Sequence, residues 1–73
     1  MLEKDIRRLA GEIYSLLCAE GKITLDKLEK FAYDKNYLML SLGWLLREDR
    51  LIVYRGSEDW YFEVKGAYQE YYY

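Results

Sequence analysis

Chemistry in a protein begins with side chains that can exchange protons, hold a metal or attack a carbonyl. This chain carries few of them in useful combinations. It has no histidine, so the commonest general base and the commonest zinc ligand are both absent. Its one cysteine, Cys18, cannot form an intramolecular disulfide. It falls inside an apolar helical pattern, where a small buried hydrophobe is the expected role. The thirteen acidic residues are scattered along amphipathic segments. The sequence offers no nucleophile–base pair, no metal-ligand spacing and no phosphate-cradling glycine loop. It therefore predicts no catalysis, no metal and no cofactor.

What remains is recognition chemistry, of two kinds. Lys35, Arg47, Arg50, Arg55 and Lys65 are candidate contacts to double-stranded DNA, because Lys and Arg neutralise phosphates. Leu40, Trp44, Tyr68, Tyr71, Tyr72 and Tyr73 are candidate contacts to a protein partner, because interface cores favour Trp, Tyr and Arg. Charge weighs against DNA. Eleven basic and thirteen acidic residues leave a net charge of −2, whereas nucleic-acid-binding domains usually carry a basic excess. Tyrosine weighs toward a partner. Four of the nine tyrosines lie in the last six positions, too many for the core of so small a domain. Burial in a homodimer, packing on the chain's own first helix and disorder are the three readings of that tail.

The elements that must position these residues are legible from periodicity. At 73 residues the chain is one domain, burying roughly 60% of its unfolded surface. Its 52% apolar content is too high for a disordered chain. No apolar run approaches the ~20 residues of a membrane span and no signal peptide is seen, so a cytoplasmic location without membrane attachment is expected. Residues 4–20 read as a helix with Ile6, Leu9, Ala10, Ile13, Leu16 and Leu17 on one face. Gly21 can end it in the left-handed conformation, and residues 22–24 allow at most a very short strand. Thr24 is a good N-cap for a second helix over 25–33, with Leu25, Leu28, Phe31 and Ala32 inward. Asp34 can cap a third helix over 35–48, whose inward stripe is Leu38, Leu42 and Leu45. Leu51–Arg55 and Trp60–Val64, rich in β-branched and aromatic residues and joined by Gly56-Ser57-Glu58-Asp59, read as a β-hairpin.

The order helix, short strand, helix, helix, hairpin is that of an α+β winged helix-turn-helix, with three helices and a C-terminal two-stranded wing. Residues 1–65 make up the domain and 66–73 an aromatic tail. The run Leu42-Gly43-Trp44-Leu45-Leu46-Arg47-Glu48-Asp49-Arg50-Leu51, preceded by Leu25-Asp26-Lys27-Leu28, resembles a family of small stand-alone winged helix-turn-helix proteins of uncharacterised function. These typically carry an A-L-G-W-L-x-R-E-G-K-I stretch. The resemblance spans about Ile6 to Val64 and implies the fold without implying an activity. Asp49 stands where that family usually has Gly; Asp is one of the few other residues that tolerate the left-handed conformation.

In DNA-binding winged helices the third helix usually enters the major groove, so its outward face needs side chains that read base edges. Projected at 100° per residue, the outward side here holds Tyr37, Leu40, Gly43, Trp44 and Arg47. That surface suits a protein contact better than base discrimination. Core packing, protein contact and nucleic-acid stacking all stay open for Trp44. The wing tip carries Glu58 and Asp59, which repel phosphates, with Arg55 and Lys65 flanking. Two functions follow: a homodimeric DNA-binding domain, or an interaction module that keeps the fold without a basic reading surface. Convergence of the five cations on one face favours the first, and their dispersal among carboxylates the second.

Overall fold

The computed structural model describes residues 2–32 and 34–65. The expectations placed on Tyr68, Tyr71, Tyr72 and Tyr73 lie outside those residues, whereas the second helix, expected over 25–33, ends at Phe31 with Ala32 extended as its C-cap. Within them the order is α1 (Leu2–Glu20), β1 (Lys22–Thr24), α2 (Leu25–Phe31), α3 (Lys35–Arg47), β2 (Leu51–Arg55) and β3 (Trp60–Val64).

Local signals set the helix ends. Gly21 follows α1 at φ 86, and its N–H donates to the Leu17 carbonyl at 2.7 Å, a single-bond left-handed cap. The Thr24 hydroxyl accepts from the Lys27 N–H at 3.2 Å at the start of α2. The Asp34 carboxylate accepts from Asn36 and Tyr37 at the start of α3. At the end of α3, Asp49 takes φ 62, the Asp49 N–H donates to Leu46 and the Arg50 N–H to Leu45. This paired-bond closure satisfies two orphan carbonyls. Asp therefore fills the left-handed position where the resembling family has Gly.

The sheet is larger than the two-stranded wing expected. β1 pairs antiparallel with β3, giving a three-stranded sheet in the order β1-β3-β2. Three residues suffice because Ile23 lies opposite Phe62 in the ladder, and both side chains are buried. β2 and β3 pair from Leu51↔Val64 to Arg55↔Trp60. The turn closes with the Gly56 N–H donating to the Asp59 carbonyl at 2.8 Å. A Cβ at Gly56 would run into the Tyr61 ring, so this turn needs glycine for space.

One core joins the layers. Ala10, Ile13 and Leu17 of α1 meet Leu28 of α2, Leu38, Leu42 and Leu45 of α3, and Ile23, Leu51, Phe62 and Val64 of the sheet. Ser41 is also fully buried, and its hydroxyl donates to the Ile6 carbonyl at 3.1 Å. Two expectations need correction. Cys18 is exposed, because α1 turns Leu17 inward and the next residue lies 100° round the helix. Phe31 is exposed as well. α2 stops there, and the extended C-cap residue Ala32 goes under in its place.

Leu42→Ala is expected to cost on the order of 2–5 kcal/mol, as truncations of buried leucines do. That is a large share of a small domain's stability, so thermal melting should show a largely unfolded variant. A cooperative melt within a few degrees of the parent would mean that α3 does not face the core this way.

Candidate interaction surfaces

The outward face of α3 follows from its inward one. Once Leu38, Ser41, Leu42 and Leu45 are buried, the other side of the helix presents Met39, Leu40, Gly43, Leu46 and Arg47. Met39, Leu40 and Leu46 are 46%, 53% and 46% exposed. Leu40, Gly43 and Arg47 were legible from helical projection. Met39 and Leu46 were not singled out, since each lies beside an inward leucine. Tyr37 and Trp44, projected outward, are half-buried; Trp44 packs against the edge of the core. Among the described residues a Cβ at Gly43 would meet nothing within 4 Å, so none of them requires glycine there.

The five candidate cations occupy three places. Lys35 and Arg47 open and close α3, about 18 Å apart at 1.5 Å per residue. Arg47, Arg50 and Lys65 gather around the turn from α3 to β2; the Lys65 N–H donates to the Arg50 carbonyl at 2.9 Å. Arg55 ends β2, roughly 16 Å from Arg50 at ~3.3 Å per residue. Carboxylates or rings engage most of them. Lys65 pairs with Asp49 at 2.6 Å and Lys35 lies 4.0 Å from Glu29. Arg50 lies 5.3 Å from the centre of the Tyr14 ring, and Arg55 the same distance from that of Trp60. These ring contacts join residues distant in sequence, except Arg55 and Trp60, which the hairpin register places opposite each other.

Where a wing would approach a phosphate backbone, the surface is acidic. Asp26, Glu29, Glu58 and Asp59 line one depression with Thr24, Leu25 and Tyr61. Asp59 is more than a turn residue. Its carboxylate accepts from the Asp26 N–H at 3.2 Å, across 33 residues of sequence, and from the Trp60 N–H at 2.7 Å. The wing tip thus caps the first turn of α2, where free N–H groups and the helix dipole favour a negative charge.

A second recess lies between α1 and α3. It is about 180 Å³ and is lined by Arg7, Ala10, Gly11, Tyr14, Trp44, Leu45, Glu48 and Arg50. The Arg7 guanidinium lies 5.0 Å from the centre of the Trp44 ring, mirroring Arg50 over Tyr14. On the outer face of the sheet, Tyr54 and Tyr61 stack at 5.6 Å and Lys22 lies over both rings. Hydrogen bonding to the Tyr54 hydroxyl, helped by the nearby Glu63 carboxylate, holds the Lys22 ammonium above its ordinary pKa of 10.5. Among the described residues, no group of His, Cys, Asp and Glu side chains is arranged to hold a metal ion, and no helix is long and apolar enough to cross a membrane.

Three helices, a β1 strand between the first two and a hairpin after the third define a winged helix-turn-helix domain. The chain belongs to the family described as winged helix-turn-helix domain (DUF2582), whose model matches residues 1–64. It is similar to an uncharacterised protein of Methanocaldococcus jannaschii, MJ1608, with 34% identity over 64 residues, covering 82% of this chain and 90% of that one. No solved structure matches it. The resemblance read from L-G-W-L-x-R-E thus lands on a family of winged helices without an assigned function.

Asp59→Ala removes a cap from α2 and should destabilise the domain by about 1 kcal/mol, the usual worth of such a cap. Amide exchange should be faster at Asp26 and in the turn 56–59 than in α1. Unchanged protection at Asp26 would show that the wing tip does not hold the helix.

Proposed function

We propose that this winged helix is a cytoplasmic, non-catalytic interaction module, and that the outward face of α3 binds a second copy of the chain in place of DNA base edges. The observation that carries this reading is the exposed apolar group Met39, Leu40 and Leu46 on the helix that reads bases in DNA-binding relatives of the fold. Base readout needs donors and acceptors there. The acidic depression around Asp26, Glu29, Glu58 and Asp59 adds to it, as does the pairing of Lys35 and Lys65 with carboxylates and the separation of Lys35 and Arg55 from the group Arg47, Arg50 and Lys65, since phosphate binding needs clustered, unopposed cations.

Gly43 supports a second copy as the occupant. Glycine inside a helix costs about 0.5–1 kcal/mol relative to alanine, and none of the described residues would meet a Cβ there. Close approach of another backbone is one use that repays that cost. If two α3 helices cross antiparallel with Gly43 on the two-fold axis, Leu40 of one chain meets Leu46 of the other, and Met39 lies along the stem of Arg47. A two-fold contact uses each patch twice. The patch rests on three aliphatic side chains, so the dimer should be weak and its melting temperature should rise with concentration. In this reading Leu40 is an interface residue and Trp44 supports the helix from the core edge.

Gly43→Gln separates folding from assembly. It should raise the stability of the monomer by about 0.5–1 kcal/mol through helix propensity while abolishing association in sedimentation. Leu40→Glu should weaken association at least tenfold, about 1.4 kcal/mol. Duplex DNA at ~50 mM salt should not bind. Unchanged association in both variants, or duplex binding whose logarithm falls with log salt at a slope of roughly −2 to −4, would overturn the proposal.

A further inference from the structure

We infer that the recess between α1 and α3 binds a short amino-dicarboxylate, with one carboxylate on Arg7, the other on Arg50 and the ammonium toward Glu48. The lining carries charge in a fixed order. Arg7, Gly11 and Tyr14 recur at four and three residues on α1, which aligns them on one stripe. Arg7 lies against Trp44 at one end and Arg50 against Tyr14 at the other. Glu48 lines the stretch between them. The Arg50 backbone is pinned from both sides: its N–H donates to the Leu45 carbonyl at 3.0 Å, and its carbonyl accepts from the Lys65 N–H at 2.9 Å. A guanidinium seated on a ring keeps in-plane N–H groups for a carboxylate. None of the ion pairs among the described residues uses Arg50. Arg7 pairs with Glu3 at 3.1 Å, but both side chains are more than half exposed, and such a pair is worth little.

Gly11 is the second observation. It stands inside a 19-residue helix, where glycine costs stability relative to alanine. Among the described residues a Cβ there would meet nothing within 4 Å, so none of them requires glycine. Its open side lines the recess. Close approach of a bound molecule to the backbone is a use that repays the cost. The base of the recess is apolar, since Ala10 and Leu45 are buried, and it suits methylene groups. The volume, about 180 Å³, lies below the roughly 300–1,000 Å³ of drug-sized sites, which limits the occupant to a few carbons. Charge then selects its class. Arg7 and Tyr14 are seven residues apart on α1, about 10 Å, so one carboxylate cannot serve both cations and two are needed. Glu48 repels a plain dicarboxylate and attracts an ammonium placed between the two acids. An acidic amino acid carries its charges in that order. α3 turns its apolar side away from this recess, so the inference does not rest on the dimer.

The test titrates the full chain with glutamate, glutarate and acetate at matched ionic strength and follows the Trp44 indole N–H and the Gly11 and Arg50 amides by NMR. Glutamate should saturate these signals at millimolar concentration, glutarate should bind several-fold more weakly, and acetate should leave them in place. Gly11→Gln fills the recess and favours the helix, so its melting temperature should rise while glutamate binding falls at least about tenfold. Arg50→Gln removes a charged hydrogen-bond partner and should also cost about tenfold or more. Glu48→Gln should remove the preference for glutamate over glutarate. Absence of saturable shifts with glutamate would overturn the inference. So would equal shifts with acetate, glutarate binding as tight as that of glutamate, or glutamate binding that survives in Gly11→Gln. Loss of the α3 dimer in Gly43→Gln should leave glutamate binding unchanged, which keeps the two proposals separable.

Discussion

Ser41 sits fully buried in the middle of α3 and donates a hydrogen bond to the Ile6 carbonyl of α1. Its small side chain lets the two helices come close where a leucine would hold them apart. Its hydroxyl is satisfied by a carbonyl that the α1 ladder already uses, which removes the penalty of burying it. Leu38, Leu42 and Leu45 then pack on Ala10, Ile13 and Leu17. The remaining elements close this seam from the sides. Leu28 enters from α2, and Ile23, Leu51, Phe62 and Val64 enter from the sheet.

The surface chemistry follows from that seam. With one face of α3 committed to α1, Met39, Leu40, Gly43, Leu46 and Arg47 face outward. Where many relatives of the fold present polar readers, this helix presents aliphatic side chains around a glycine. The wing has a structural duty as well, since Asp59 caps α2. The charge that would repel phosphate is thus the charge that ties the hairpin to the helices, and making the wing basic would loosen it. The exposed ion pairs, such as Lys30 with Asp26 and Arg8 with Asp5, are each worth little.

Much of the architecture was legible in the sequence because it is written in local signals. Gly21, Thr24, Asp34 and Asp49 each satisfy a particular set of backbone groups at a helix end, and the leucine spacing of α3 points one way only. Misreadings occurred where tertiary placement overrode pattern. Cys18 fits the apolar run of α1 but lies just past its inward stripe. Phe31 gave up its place to Ala32 because α2 is short. The third strand was underestimated because three residues carry little periodicity, and Ile23 gains its place only from Phe62 nearly forty residues on. The interaction surfaces were less legible. Leu40, Gly43 and Arg47 could be projected outward, but the stacking of Arg7 on Trp44 and Arg50 on Tyr14, and the bond from Asp26 to Asp59, join segments that no local signal relates.

The central claim is that α3 meets α3 of a second copy across Gly43. The most direct measurement is isotope-filtered NMR on a mixture of labelled and unlabelled chains at millimolar concentration, which sees only contacts between copies. Intermolecular contacts between the methyl groups of Leu40 and Leu46, with Met39 alongside, are the predicted result. Intermolecular contacts that avoid α3, or their complete absence at that concentration, would contradict it.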